Sequence, residues 1–359
     1  MIGSYLIYIG LSVFIWTMAC WANRRDQKGY VWLIIGVLTL VAGLRDASVG
    51  MDTANYLRLF DLIDKKQFSY AYGLEEPFKY LIFVILKIVP SKQFVLVLLA
   101  LIANACIIIR FWELRKLSSF SCMVLCYYMA FYFMTFNAMR QFCPVGIVFY
   151  CTRFLDRKKV LYFVLGVLAA WLFHRTALIG FIYLALNCLR WKELPTRQRL
   201  LYIFAVLCIP VLIPVALKMF ASYARYFKEP TLDIGMMLLL KFAFLVASMI
   251  FAFGLHRRYS YLRNGDLLTE EDHYRIRVTG IAYTGALGLA ILGYIFPHAE
   301  RIGLYFYMFE PVYFGILLKG KKPLNRVLFF YFIAFVIGYS FVYSMTNNSQ
   351  GNMPYAFFW

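Results

Sequence analysis

The residues that could do chemistry gather where charge is least expected. The segment Arg45-Asp46-Ala47-Ser48-Val49-Gly50-Met51-Asp52-Thr53-Ala54-Asn55-Tyr56 follows an apolar run from Tyr30 to Leu44, and it carries carboxylates, an arginine, a glycine and several hydroxyl and amide groups. Charge is expensive in hydrocarbon, so such groups belong at a bilayer edge or in a wet cavity. Glu75, Asn137, Arg140, Gln141, His174, Arg225, Arg301 and Tyr305 stand at the same kind of boundary, near the ends of other apolar runs. Arginines grip phosphate oxygens with paired hydrogen bonds, and carboxylates or a histidine can take up a proton. This mixture suits transfer of a group away from an anionic phosphate carrier, with cations on the leaving group and a base on the attacking hydroxyl. A plainer reading of the first segment is a solvated loop that turns at Gly50 and begins a helix with Asp52 as its N-cap.

The elements that must position these groups are membrane helices. Of 359 residues, 63% are hydrophobic and 15% charged, with a mean hydropathy of +0.69. Runs long enough to cross a bilayer follow one another almost end to end. The chain therefore reads as an all-α polytopic integral membrane protein, one domain over residues 1–359, with about 12 transmembrane helices. Unbroken apolar runs exclude a closed β-barrel. The formal charge of +19 invites a nucleic-acid partner. Its lysines and arginines fall in short clusters between apolar runs instead of on one basic face, which argues against nucleic acid. The 19% aromatic content fits membrane packing better than sugar stacking. The cysteines form no C-x-x-C pair and imply neither a disulfide framework nor a metal site. No cofactor is expected. The first apolar stretch lacks a basic leader and a small-residue cleavage site, so it reads as a retained helix.

Basic clusters set the topology. Arg24, Arg25 and Lys28 place the first loop in the cytoplasm, so the segment from Arg45 to Pro77 faces outside, as an external loop (45–77) with one short surface helix starting after Asp52. Phe78 to Pro90 is short and carries Lys79 and Lys87. If it crossed, Arg110, Arg115 and Lys116 would lie outside, so it reads as a re-entrant or interfacial segment. Residues 256–277 read as a cytoplasmic linker. Arg45, Arg140, Arg175, Arg225 and Arg301 then all fall at outer ends of spans, where the positive-inside bias disfavours them. An anionic partner at the outer leaflet would account for that.

Five segments in order carry a resemblance: Arg45 to Tyr56, Glu76-Pro77-Phe78, Asn137-Ala138-Met139-Arg140-Gln141, Phe173-His174-Arg175-Thr176-Ala177-Leu178-Ile179, and Arg301-Ile302-Gly303-Leu304-Tyr305-Phe306. Together they resemble the EpsG family of bacterial exopolysaccharide and capsule polymerases, which is Wzy-like. Met51 stands where the family usually has Thr or Ser, and Cys143-Pro144 stand where alanine commonly follows the Arg-Gln pair by one residue. The resemblance implies a GT-C-like glycosyltransferase of the bacterial plasma membrane. It would move a growing glycan from undecaprenyl diphosphate to the non-reducing end of a lipid-linked repeat unit at the outer face. The partners implied are the lipid-linked oligosaccharide, membrane lipid, and chain-length regulator or export proteins. Asp52, Glu76 and His174 become the catalytic candidates. Arg45, Thr53, Tyr56, Asn137, Arg140, Gln141, Arg225, Arg301 and Tyr305 become substrate ligands. Six of these have a bland alternative: a cap for Asp52 and Glu76, pairing with Asp46 or Asp52 for Arg45, helix-end snorkelling for Arg140 and Arg301, packing for His174. The competing class is a flippase for the same carrier, which would more often place its charges at the membrane midplane within internal repeats.

This topology is testable by thiol labelling of intact cells. Single cysteines replacing Asp52 and Arg301 should react with an impermeant reagent, and those replacing Lys28, Lys158 and Lys321 should not. Labelling at 321 without labelling at 52 would invert the arrangement.

Overall fold

The computed structural model describes residues 2–188, 239–243, 246, 268–293, 299–319 and 323–359. Among these residues the fold is entirely helical, with a single isolated antiparallel bridge between Arg45 and Phe357. We number the helices α1 (Ile2–Arg25), α2 (Lys28–Gly43), α3 (Thr53–Asp64), α4 (Glu76–Ile88), α5 (Lys92–Glu113), α6 (Phe120–Tyr127), α7 (Met134–Asn137), α8 (Met139–Asp156), α9 (Val160–Trp171), α10 (Ile182–Asn187), α11 (Glu270–Leu292), α12 (Ala299–Tyr307), α13 (Glu310–Leu318) and α14 (Pro323–Thr346). By length and apolarity, Ile2–Arg25, Lys92–Lys116, Glu270–Leu292 and Arg326–Thr346 can cross a membrane. Shorter apolar helices cover Lys28–Gly43, Phe120–Tyr132, Val160–Trp171 and Arg175–Asn187.

The core is built on α5, which packs between α2 and α8, with α1 against α2 and α6. Its aromatic residues fill the interior. Tyr127, Tyr128 and Tyr132 lie in or beside a π-helical turn (Tyr128–Tyr132), and each buried ring sends its hydroxyl to another helix. Tyr127 donates to Asn104 Oδ1 at 3.0 Å, Tyr128 to Tyr8 O at 2.8 Å and Tyr132 to Leu38 O at 2.7 Å. An apolar ring with a satisfied polar tip is an economical way to fill a membrane interior.

Ionic contacts sort the bundle into two ends. One end carries Arg115 paired with Asp26 at 2.9 Å, and Arg110 and Arg275 both on Asp156 at 2.5 and 3.1 Å. The other carries the Arg45–Tyr56 segment. Gln93, at the start of α5, donates to Gly43 O at 2.6 Å and Arg45 O at 2.9 Å. Glu75, just before α4, pairs with Arg140 at 2.6 Å. Both ends of α4 therefore lie at the same end of the bundle. Its 13 residues span roughly 20 Å, short of a bilayer core of about 30 Å. A single helix with both ends at one end of the bundle lies along that end.

Three features depart from the sequence reading. Residues 270–277, read as linker, are the first turns of α11, where Thr269 and Asp272 form a reciprocal capping box; residues 256–267 lie outside the described residues. The apolar run Ile302 to Leu318, which by sequence reads as a single span, is broken into α12 and α13 at Met308–Phe309. Finally, the segment after α14, which the alternating topology leaves outside, does not extend away as a tail but folds back across the opening motif. Gly50 N donates to Gly351 O at 2.7 Å, Asp46 N to Ala356 O at 2.9 Å and Phe358 N to Leu44 O at 3.1 Å. Asn137 Nδ2 reaches Gln350 O and Oε1, both at 2.9 Å.

Gly50 is the pivot of this strap. Its φ is +91°, and a Cβ there would stand 2.8 Å from Thr53 Oγ1 and 3.1 Å from Asn137 Oδ1. Gly73 has a similar φ of +79° with nothing within 4 Å of a Cβ. Gly50→Ala should therefore destabilise the detergent-solubilised protein by about 1–3 kcal/mol from backbone strain alone, and by more from the clash. Gly73→Ala should show only the strain. Thermal unfolding of the two variants side by side checks this; equal losses would mean that the strap yields.

Candidate functional site

The opening motif is held by a buried arginine. Arg45 is 1% exposed. Its Nε donates to Thr53 Oγ1 at 3.0 Å and its Nη2 to Phe136 O at 2.9 Å, while Nη1 bonds Ala42 O at the C-terminal end of α2. The guanidinium also lies over the Phe136 ring, 4.8 Å from its centroid. Burial lowers its pKa to about 10, opposed by the neighbouring tyrosines, so it stays charged at neutral pH. It forms no ion pair among the described residues. Asp46 spends its carboxylate on Ser48 N and Oγ instead. Thr53, fully buried, closes the turn by donating to Val49 O at 2.6 Å. Asn137 is engaged by the strap. Arg45, Thr53 and Asn137, expected as substrate ligands, are in this geometry the frame of the motif, with their donors already bonded to protein.

Asp52 stands at the N-cap position of α3, with φ −103° and ψ −5°, and its side chain makes no capping bond. The carboxylate is exposed and has no partner among the described residues. One turn on, Tyr56 is half-buried with its hydroxyl in the field of Arg140, Asp52 and Arg301; burial is the main reason its pKa is raised. Three separate stretches of sequence thus meet around one phenol.

Glu75 organises the other half. Its Oε2 accepts from Arg140 Nη1 at 2.6 Å, its Oε1 accepts from the Arg175 backbone N–H at 3.3 Å, and Oε1 lies 3.8 Å from His174 Nδ1. Arg140 Nη1 also donates to Gly73 O at 2.6 Å. Glu76, the carboxylate singled out from sequence, points away: it is 66% exposed and pairs with Lys79 within its own helix. Helix phase separates the two. The buried face of α4 runs through Phe78, Ile82 and Leu86, and Glu75 lies three and seven positions before the first two, on that face. A phase argument would have found it.

His174 is 8% exposed. Its Nδ1 accepts from Thr176 N at 3.2 Å and contacts Thr176 Oγ1 at 2.8 Å, whose hydroxyl in turn meets Tyr305 OH at 3.0 Å. An acceptor Nδ1 leaves the ring proton of the neutral imidazole on Nε2. Tyr305 is buried in this relay and its carbonyl accepts from Tyr183 OH at 2.9 Å. Gln141 Nε2 donates to Arg301 O at 2.7 Å and so fixes the backbone that carries Arg301. The Arg301 side chain is exposed and forms no hydrogen bond or ion pair among the described residues. Arg225 lies outside the described residues. Arg140, Arg175 and Arg301 all bear on His174 against a single carboxylate, Glu75, so the cluster is positive and fit for an anion. A groove of about 390 Å³ between the π-turn and α14 is walled by Met129, Phe133, Met134, Tyr339 and Tyr343 and ends at Ser349 and Gln350, the latter bonded to Asn137.

Burial lowers the His174 pKa to about 4, Glu75 opposes this, and Arg140, Arg175 and Arg301 add to it. The unfolded chain takes up a proton near pH 6.5, the folded protein only near 4. The contribution of this group to stability is complete above pH 6.5 and declines as pH falls toward 4. At pH 5.5–6 His174 should give the nitrogen NMR signals of a neutral, Nε2-protonated imidazole, assigned by difference with His174→Gln. An imidazolium signal at pH 6 would show that the ring is not shielded as described.

No curated protein and no solved structure matches the chain. The EpsG family model matches residues 28–357, nearly the whole of it. With its apolar helices this makes the protein a membrane protein of exopolysaccharide biosynthesis, and the chain belongs to the EpsG family.

Proposed function

We propose that the protein is a polysaccharide polymerase, a glycosyltransferase of GT-C-like architecture in the bacterial plasma membrane. It would transfer a growing glycan from undecaprenyl diphosphate to the non-reducing end of a lipid-linked repeat unit at the outer face. One observation carries the reading: Arg140, Arg301, His174, Tyr56 and an unpaired Asp52 converge at one end of the bundle from four parts of the sequence. A positive cluster beside a free carboxylate is what the reaction needs. The anomeric C–O bond to the diphosphate breaks, and its electron pair stays on the diphosphate, held by Arg140 and Arg301. The acceptor hydroxyl oxygen bonds to the anomeric carbon, and its proton passes to Asp52. His174, neutral with its proton on Nε2, serves as a hydrogen-bond donor to sugar or phosphate. Glu75 orients Arg140. The isoprenoid chain of the carrier lies in the groove beside α14, whose apolar walls lead to the polar end near Asn137.

The flippase reading has one observation in its favour, a buried ion pair at a broken helix, Lys241 with Glu310 at 2.8 Å. The two readings separate in detergent. A polymerase elongates lipid-linked repeat units in micelles, where there is nothing to flip. A flippase acts only across closed vesicles.

The test is elongation of a purified lipid-diphosphate repeat unit, with products resolved as a ladder. Arg301→Ala should lose roughly 1000-fold in rate and Arg301→Lys roughly 10- to 100-fold, because lysine keeps the charge without the planar fork. Asp52→Asn should lose roughly 100-fold or more. Glu75→Gln should be severely slowed, while Glu76→Gln and Glu300→Gln, the latter a change at the carboxylate residue next to Arg301 in sequence, stay within a few-fold of wild type. A dead Glu300→Gln with a fully active Arg301→Ala would move the diphosphate site off Arg301.

A further inference from the structure

Glu310 is 1% exposed, and both of its carboxylate oxygens accept from Lys241 Nζ, at 2.8 and 3.1 Å. Its depth follows from the helices that carry it. Lys319 Nζ donates to Arg115 O and Lys116 O at the Asp26–Arg115 end of the bundle. Arg301 stands at the other end, its backbone fixed by Gln141. Glu310 is nine positions from each (301 to 310, 310 to 319), or about 13 Å along a helix either way. In a hydrocarbon core of about 30 Å it sits near the midplane.

An ion pair there is costly. Replacing such a pair with apolar side chains is commonly neutral or stabilising, so stability does not account for it. The interruption of the span does. Residues 299–318 are two rods, α12 and α13, joined through Met308 and Phe309, with Glu310 and Pro311 opening the second. A continuous hydrogen-bond ladder would set the direction of one rod from the other; here the ladder is interrupted. α13 is anchored at its far end, where Ser119 N donates to Gly315 O at 3.1 Å and Ser118 Oγ to Val312 O at 2.9 Å. Near the break, Tyr283 of α11 stacks on Tyr313 at 5.1 Å and packs edge-on to Phe314 at 5.7 Å. These ring contacts bind without strict direction. The Tyr283 hydroxyl is buried and has no hydrogen-bond partner among the described residues, so it does not direct the junction either. One backbone bond crosses the break, from Phe309 N to Phe306 O at 3.0 Å, and the two-oxygen grip of Lys241 on Glu310 adds a directional side-chain contact there.

We propose that Lys241 and Glu310 are a positioning pair for Arg301: by fixing the junction between α13 and α12, they set where α12 presents the Arg301 guanidinium to the Arg140–His174 cluster. This rests on the role given to Arg301 above. Glu310 touches no substrate, and its effect passes through α12.

The experiment is a set of variants in the purified full chain, read for kcat and KM on the lipid-diphosphate repeat unit and for thermal stability. Glu310→Gln should lower kcat by roughly 100-fold, the scale of a misplacement of about 1 Å, with a smaller change in KM. In an Arg301→Ala background the same substitution should add little, because both act on one group. The charge-swapped Lys241→Glu/Glu310→Lys protein should regain most of the rate. The apolar Lys241→Met/Glu310→Leu protein should match or exceed wild type in Tm and remain slow. Multiplying losses in the Arg301→Ala background, or an apolar pair that elongates at the wild-type rate, would overturn the proposal. A second measurement needs no turnover. Phenylglyoxal modification of Arg301, followed by peptide mass spectrometry, should change in rate in Glu310→Gln and return in the swapped protein. An unchanged rate overturns the proposal as well. A wild-type protein that shows this dependence but never elongates would defeat the polymerase reading and leave the positioning pair standing.

Discussion

The candidate site depends on the Glu75 carboxylate and what it holds. One oxygen takes the Arg140 guanidinium and the other takes the Arg175 backbone and faces His174. Glu75 thereby pins the N-terminus of α4, the start of α8 and the turn after α9 to one point. It is also the one carboxylate among the charges that bear on His174. Without it, three arginines would face each other across a poorly solvated pocket, and their repulsion would spread the cluster. With it, the cluster stays close and keeps a net positive charge, so an incoming anion meets cations already held in place. That arrangement lowers the reorganisation needed when charge develops on a leaving group.

A second constraint fixes the floor of the site. Arg45 stays charged although almost fully buried, with main-chain carbonyls and a threonine hydroxyl in place of a counter-ion. The carbonyl at the end of α2 is a favourable partner, because it lies at the negative end of the helix dipole. These bonds force the chain to turn at once after α2, and Gly50 supplies the φ that the turn requires. The strap from Gln350 to Phe358 then covers the turn and meets its exposed N–H groups. Asp52 and Tyr56 emerge from this frame on the first turn of α3, which makes their placement a consequence of bonds made by residues that never face the solvent.

Charge is layered through the bundle. The Arg110–Asp156–Arg275 network closes one end, with cations matched by carboxylates. At mid-depth, Lys241 is matched by Glu310. At the motif end, Asp52 and Arg301 are exposed charges without a hydrogen-bond or ion-pair partner among the described residues. Matched pairs lower the cost of placing charge in a low-dielectric interior, and unmatched groups are sustainable only where water or a ligand reaches them.

The sequence by itself determined the class of the molecule. Apolar runs leave the backbone no partner but its own helix, so a helical membrane protein follows from composition. The short length and lysines of Phe78 to Pro90 made it read as a re-entrant or interfacial segment, and in the fold both of its ends lie at one end of the bundle. The motifs named most of the residues that converge, since charged groups near long apolar runs are rare enough to stand out. The tertiary structure decided which of them face a ligand. Arg45 and Arg301 look alike in sequence, each a lone arginine at the end of a span. One is sealed by the Ala42 carbonyl, the Thr53 hydroxyl and the distant Phe136 carbonyl, and the other is exposed. Glu75 and Glu76 are adjacent, and only the phase of α4 against α8 separates the hub from a surface pair. The strap over Gly50 and the grip of Lys241 on Glu310 join positions hundreds or tens of residues apart. Such contacts arise from how helices pack, and no local pattern of residues encodes them.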